Sequence, residues 1–125
     1  MCLAIVKEKI VNAINMVEVE LPVNIHFNKQ LFINPLRIEL LRKIKQTGSL
    51  NAAAKGLVLS YQNVWTIIDE MNKISPRPLV VKQRGGSGGG GAILSDYGNL
   101  ILKEYSFIEE EVKKFLKQLN TEINL

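Results

Sequence analysis

The chain has 125 residues and a formal net charge of +4, with 46% hydrophobic and 22% charged residues, a make-up that fits about one globular domain and argues against disorder. No apolar run approaches the ~18 residues of a membrane span, and Lys7, Glu8 and Lys9 fall where a secretion signal would need apolar residues. Cys2 and His26 are too few for a zinc site or an internal disulfide, so a reducing cytoplasm is expected, with no metal and no cofactor.

Leu3, Val6, Ile10, Ala13 and Val17 recur at helical spacing and predict a helix from about Leu3 to Met16. From Val17 the period changes to two. Val17, Val19 and Leu21, then Val23, Ile25 and Phe27, predict extended chain, broken or kept at a sheet edge by Pro22. On that stretch His26 alternates outward and is expected to be solvated. Asn34-Pro35 opens a helix with proline at its first position; Leu36, Leu40, Leu41 and Ile44 give it an apolar face, and Gly48 closes it.

Residues 49–73 carry the most informative pattern. Ser49 caps a short helix, Leu50 to Gly56, in which Ala52, Ala53 and Ala54 allow close helix approach. Ser60 caps a second helix that buries Val64, Ile67, Ile68 and Met71. Two short helices joined by a brief turn are the sequence form of a helix-turn-helix, although a plain helical hairpin in a small bundle has the same pattern. On the outer face of the second helix, Tyr61, Gln62, Asn63 and Thr66 offer uncharged hydrogen-bonding groups suited to base edges. Trp65, next to inward Val64 and Ile68, is expected to pack partly against the preceding helix.

Ser75-Pro76-Arg77-Pro78 stops that helix. Leu79 to Arg84 and Ala92 to Leu94 read as two strands joined by the glycine-rich loop Gly85 to Gly91, the layout of a wing. Three uses of such a loop are open. A phosphate cradle would need the order G-x-x-x-x-G-K-[ST], but Ala92 and Ile93 stand where the last two residues belong, and a strand follows instead of a helix. A flexible linker has similar composition. A wing tip would bring the bare backbone of Gly85, Gly86, Ser87 and Gly88 close to a polyanion, with Lys82 and Arg84 supplying charge.

Ser95 starts the last helix. Ile101, Tyr105, Ile108, Val112, Phe115 and Leu119 follow at alternating spacings of four and three, an a/d seam that predicts a homodimer interface. A helix packed only on its own domain needs a similar stripe. Charge is uneven along the chain: residues 1–30 are neutral, residues 31–94 carry nine Lys and Arg against three acids, and residues 95–125 carry four Lys against six acids. A basic middle is the footprint of a polyanion-binding core.

Leu31 to Leu41, Thr47-Gly48-Ser49, the Ala-rich helix, Ser60-Tyr61, Trp65 and Glu70-Met71-Asn72 together resemble the DNA-binding domain of ModE-type molybdate-responsive transcriptional regulators. The loop Gly85 to Ala92, leading to Leu94 and Tyr97-Gly98, is similar to that family's wing and the turn after it. The resemblance implies a winged helix related to the LysR-type N-terminal domain, with Ser60 to Thr66 in the recognition helix and residues 96–120 as the dimerisation helix. Gln62 and Asn63 stand where relatives often carry Lys and Ser, which points to altered operator choice. Family members usually continue into a molybdate-binding module, which a chain reaching only Leu125 has no room for, so molybdate binding by this chain is not expected.

The expected fold is mainly α with a small β-wing: an N-terminal helix and arm over residues 1–23, a winged helix-turn-helix over 24–95 and a dimerisation helix over 96–125. The expected function is a sequence-specific, homodimeric regulator of transcription on double-stranded DNA. Tyr61, Gln62, Asn63 and Thr66 would read bases, while Ser49, Lys55, Ser60, Lys82, Arg84 and the wing amides would hold phosphates. A winged-helix module for protein partners is the alternative. No Ser/His/Asp or paired-carboxylate set shares a definable face, so no enzyme is expected.

Overall fold

The computed structural model describes residues 19–83 and 91–123; the expected helix from Leu3 to Met16 lies outside them, as do the wing residues Arg84, Gly85, Gly86, Ser87 and Gly88. The described chain starts as an extended arm and enters an antiparallel hairpin of β1 (Ile25–Phe27) and β2 (Gln30–Ile33). Asn28 and Lys29 make the reversal, both with left-handed backbone (φ 51° and 66°), as a two-residue hairpin turn requires. The alternation up to Phe27 accounts for β1. β2 carries no such signal, because its neighbours Phe32 and Ile33 are both buried and nothing alternates.

Helix α1 (Pro35–Thr47) begins where expected: the Asn34 side chain accepts the Arg37 amide at 2.8 Å, and Pro35 needs no hydrogen-bond partner for its nitrogen. Gly48 ends it in the left-handed conformation (φ 67°), its N–H donating to Ile44 at 2.8 Å. Ile38, Leu40, Leu41 and Ile44 are buried. Leu36, assigned to that face from its spacing, is 42% exposed in the first turn, and Ile38 takes its place.

Ser49 caps α2 (Leu50–Leu57) through the Ala52 amide at 3.2 Å, and Ser60 caps α3 (Tyr61–Ile74) through the Asn63 amide at 3.1 Å. Between them Val58 turns the chain with a left-handed φ of 56°. Ala53 and Ala54 are buried where α2 packs on both α1 and α3, the close approach their size permits. α3 buries Val64, Ile68 and Met71, with Ile67 half-buried.

Asn72 then connects α3 to the wing. Its carbonyl oxygen accepts the Leu79 amide at 2.8 Å and its NH2 donates to the Val80 carbonyl at 3.1 Å. Strands β3 (Val80–Gln83) and β4 (Gly91–Leu94) pair antiparallel with Val80 opposite Leu94 and Lys82 opposite Ala92. Val80, Ala92 and Leu94 face the core while Val81 and Ile93 face solvent, the alternation of a sheet wet on one side. The wing base is tied to the helices by the Ala92 amide, which donates to the Gly48 carbonyl at 3.1 Å.

Helix α4 (Asp96–Glu122) is capped by Ser95, whose hydroxyl accepts the Gly98 amide at 2.9 Å and donates to the Pro78 carbonyl at 2.6 Å. Tyr97 and Gly98 therefore belong to the first turn of this helix and not to a separate turn. One hydrophobic cluster joins β2, α1, α2, α3, both wing strands and Tyr105 of α4. The result is a winged helix-turn-helix followed by a long helix, mainly α with a small β-wing.

Polar contacts hold α4 to the body and to the arm. The Arg42 guanidinium donates to Ser106 at 3.1 Å and to Glu109 at 2.9 Å. The Tyr105 hydroxyl donates to the Val23 carbonyl at 2.9 Å, and the Asn120 side chain exchanges hydrogen bonds with the Val19 backbone at 3.2 and 3.5 Å. The arm so held leaves an open groove of about 690 Å³ between itself and α4.

Candidate nucleic-acid interface

Helical geometry sorts the residues of α3 by face. Gln62 and Thr66, four apart, stand in line on the solvent side, with Tyr61 and Asn63 flanking them on opposite sides; all four are exposed. No acidic residue lies in the first turn of α3, so its positive dipole end is unopposed by side chains. Further along, Asp69 is paired with Lys73 at 4.0 Å and Glu70 with Arg37 at 2.8 Å. Carboxylates repel phosphates, so the half of α3 compatible with a nucleic acid is its N-terminal half.

The flank of this face is built by contacts that no local pattern encodes. The Trp65 indole N–H donates to the Tyr61 hydroxyl at 2.9 Å, and the Lys82 ammonium of β3 lies over the Trp65 ring. Burial pushes the Lys82 ammonium below the usual lysine value, and Asp69 partly offsets the effect. Trp65 is half-buried and packs on the core, as its position beside Val64 and Ile68 implies. A cation joined to the exposed face of α3 through an aromatic ring was not legible from spacing, because Trp65 and Lys82 belong to different elements.

The serines assigned to phosphate contact, Ser49 and Ser60, are helix caps whose oxygens already accept one backbone amide each, leaving their hydroxyl protons to donate. Lys55 is exposed in the last turn of α2. The basic middle of the chain is less basic at its surface than its count implies. Arg37 is spent on Glu70 and on the Leu31 and Phe32 carbonyls, and Arg42 on Glu39 and Glu109. Among the described residues Lys43, Lys45, Lys55, Arg77 and Lys82 have no carboxylate within 4.0 Å. No helix of the described residues is long and apolar enough to cross a membrane.

The seam residues of α4 divide. Ile108 and Phe115 are exposed, Phe115 by 58%, and Ile101, Val112 and Leu119 are half-buried. Tyr105, expected in the seam, is instead fully buried in its own chain: its ring joins the core and its hydroxyl donates to the Val23 carbonyl. Two residues missed by the 4-3 spacing are exposed beside the seam, Leu100 at 52% and Phe107 at 63%. The open apolar stripe of α4 is thus Leu100, Phe107, Ile108 and Phe115.

No protein-family model matches the chain. Individual proteins do. Over 94 residues, 75% of the chain, it is 43% identical to the transcriptional regulator ModE of Haemophilus influenzae. The chain is related to the ModE transcriptional regulators. It is 36% identical over 97 residues to the DNA-binding transcriptional dual regulator ModE of Escherichia coli K12, covering 78% of the chain and 37% of that protein. A third relative, the molybdenum-pterin-binding protein MopB of Rhodobacter capsulatus, is 38% identical over 89 residues, 71% of the chain and 33% of that protein. The chain spans about a third of the length of these relatives. The shared portion is long enough to contain the helix-turn-helix and the wing.

Proposed function

We propose that the chain is a sequence-specific DNA-binding regulator of transcription that acts as a homodimer, and not an enzyme. The observation that carries this reading is the first half of α3, which follows a tight turn after α2 and offers Tyr61, Gln62, Asn63 and Thr66 to solvent with no acid in the first turn. Such a helix fits the major groove, where an Asn or Gln amide can pair bidentately with adenine. Lys55, Lys82 and Arg84, the Ser49 and Ser60 hydroxyls, and the amides of Gly85, Gly86, Ser87 and Gly88 would contact phosphates and set position without reading sequence. The relation to ModE-type regulators supports the same assignment.

The dimer would form on the open stripe of α4, Leu100, Phe107, Ile108 and Phe115, with Ile101, Val112 and Leu119 at its margin. Two recognition helices would then sit about one DNA turn apart, ~34 Å, and the operator would be palindromic. Selection of bound oligonucleotides from a random pool tests binding, symmetry and half-site spacing together. Enrichment of an inverted repeat is the expected result. Recovery of no enriched sequence, with no retention on random duplex, would favour a protein partner for the same face. On the enriched site Asn63→Ala should cost ~1–3 kcal/mol and relax base preference, while random duplex binds as before.

A further inference from the structure

We propose that the two hydroxyl groups on the outer face of α3 are committed in advance to opposite hydrogen-bonding roles, Tyr61 presenting a donor and Thr66 an acceptor. Tyr61 then selects an acceptor-only group of the duplex, a purine N7, a guanine O6, a thymine O4 or a phosphate oxygen, and Thr66 selects an exocyclic amino group. The inference rests on the duplex-binding reading above and specifies what that face discriminates.

A phenol can donate one hydrogen bond and accept others, so in isolation it distinguishes nothing. The indole N–H can only donate. Its 2.9 Å bond therefore makes Tyr61 the acceptor of that pair and leaves the phenolic proton without a partner among the described residues. The indole is itself held: four residues along the helix it stands over Tyr61, it packs on the core, and Lys82 covers its ring. Core packing and the ammonium over the ring oppose a rotation that would turn the N–H away. Tyr61 is 39% exposed, so the remaining proton is accessible.

Thr66 is set the other way. Its hydroxyl donates to the Gln62 carbonyl at 3.0 Å, the back-bond one turn down the helix, and its proton is used. Two lone pairs remain on an exposed oxygen. In the major groove the groups that can approach such an oxygen are the adenine N6 and cytosine N4 amines. Gln62 and Asn63, by contrast, carry both a donor and an acceptor on an amide that can turn over, so the hydroxyls are the fixed elements of the face.

The experiment uses the full chain and a duplex taken from the random-pool selection, with one atom group changed at a time. A 7-deazapurine removes N7, 2-aminopurine in place of guanine removes O6, 5-methyl-2-pyrimidinone in place of thymine removes O4, and a methylphosphonate neutralises one phosphate; nebularine in place of adenine removes the 6-amino group and 2-pyrimidinone in place of cytosine the 4-amino group. One acceptor removal should weaken binding about three- to tenfold. Tyr61→Phe should weaken it by the same factor, and the two changes together by no more than either alone. Whichever acceptor removal couples names the acceptor. Trp65→Phe keeps a ring under Lys82 and deletes the N–H, so the same penalty should shrink. Thr66→Val should couple to loss of an amino group and to no acceptor removal.

Additive losses for Tyr61→Phe with every acceptor removal, or unchanged binding, would overturn the assignment while leaving duplex binding intact. An undiminished acceptor penalty in Trp65→Phe, or coupling of Thr66→Val to an acceptor, overturns it as well. A wild-type chain that binds no duplex overturns both this inference and the reading beneath it.

Discussion

The Lys82 ammonium lies over the ring of Trp65 and so joins the wing to the flank of α3. Trp65 is the chain's one tryptophan, which makes this contact visible in intrinsic fluorescence. Lys82→Ala should uncover the ring and shift its emission to longer wavelength. The same variant should lose affinity by an equal factor for selected and random duplexes, and its log–log salt dependence should fall by about one unit. A loss confined to the selected duplex would mean that Lys82 reads bases.

Gly98→Ala sets two effects against each other. Alanine inside a helix is preferred over glycine by ~1 kcal/mol. The added methyl, however, would fall well inside contact distance of the Leu79 carbonyl oxygen and 3.1 Å from its carbon. Both are backbone atoms pinned by the Ser95 amide at 2.9 Å and by Asn72, so they cannot yield cheaply. The clash should win. A net destabilisation of ~1–3 kcal/mol is expected, read as a lower urea midpoint at unchanged slope.

Val58 offers the opposite case. It is a β-branched residue with left-handed backbone, and its side chain, 92% exposed, packs on nothing. That conformation costs a non-glycine residue ~1–2 kcal/mol. Glycine returns part of the gain through its larger unfolded-state freedom, ~0.5–1 kcal/mol. Val58→Gly should therefore stabilise the fold by about 0.5–1 kcal/mol, measured by the same urea titration. A destabilised variant would show that the valine makes a contact the free chain does not display.

Burial raises the Tyr105 phenol above its ordinary value, and the Glu109 carboxylate adds to the effect. A raised folded-state value means that the protonated form is the one the fold favours. Its contribution is fully present below pH ~10, where an unfolded tyrosine begins to ionise, and is lost as pH rises further. Stability should decline above that point. Tyr105→Phe should flatten the alkaline decline while lowering stability at neutral pH, since the Val23 carbonyl loses its donor. An identical alkaline slope in wild type and variant would place the effect elsewhere.

Much of this was legible because it is local. Asn34-Pro35 and Gly48 bracket α1, and Ser49, Ser60 and Ser95 cap the next three helices, since each acts within three or four residues of itself. The exposed polar face of α3 follows from helical period alone. What escaped is non-local. β2 is buried on consecutive positions and has no period to read. The role of Asn72, splicing α3 to β3, depends on a chain segment seven and eight residues away. On α4 a regular apolar stripe cannot say which of its residues meet the same chain. Tyr105 turned inward, whereas Leu100 and Phe107, off the 4-3 spacing, face out.

The arm at residues 19–23 fastens α4 twice, near its middle through Tyr105 and near its end through Asn120. Between those points Arg42 holds the same helix to α1, which opposes a swing about its first turn. A pair of chains joined along α4 would therefore work as a caliper of fixed gauge, accepting one separation between half-sites and rejecting duplexes in which a single base pair has been inserted or deleted at the centre.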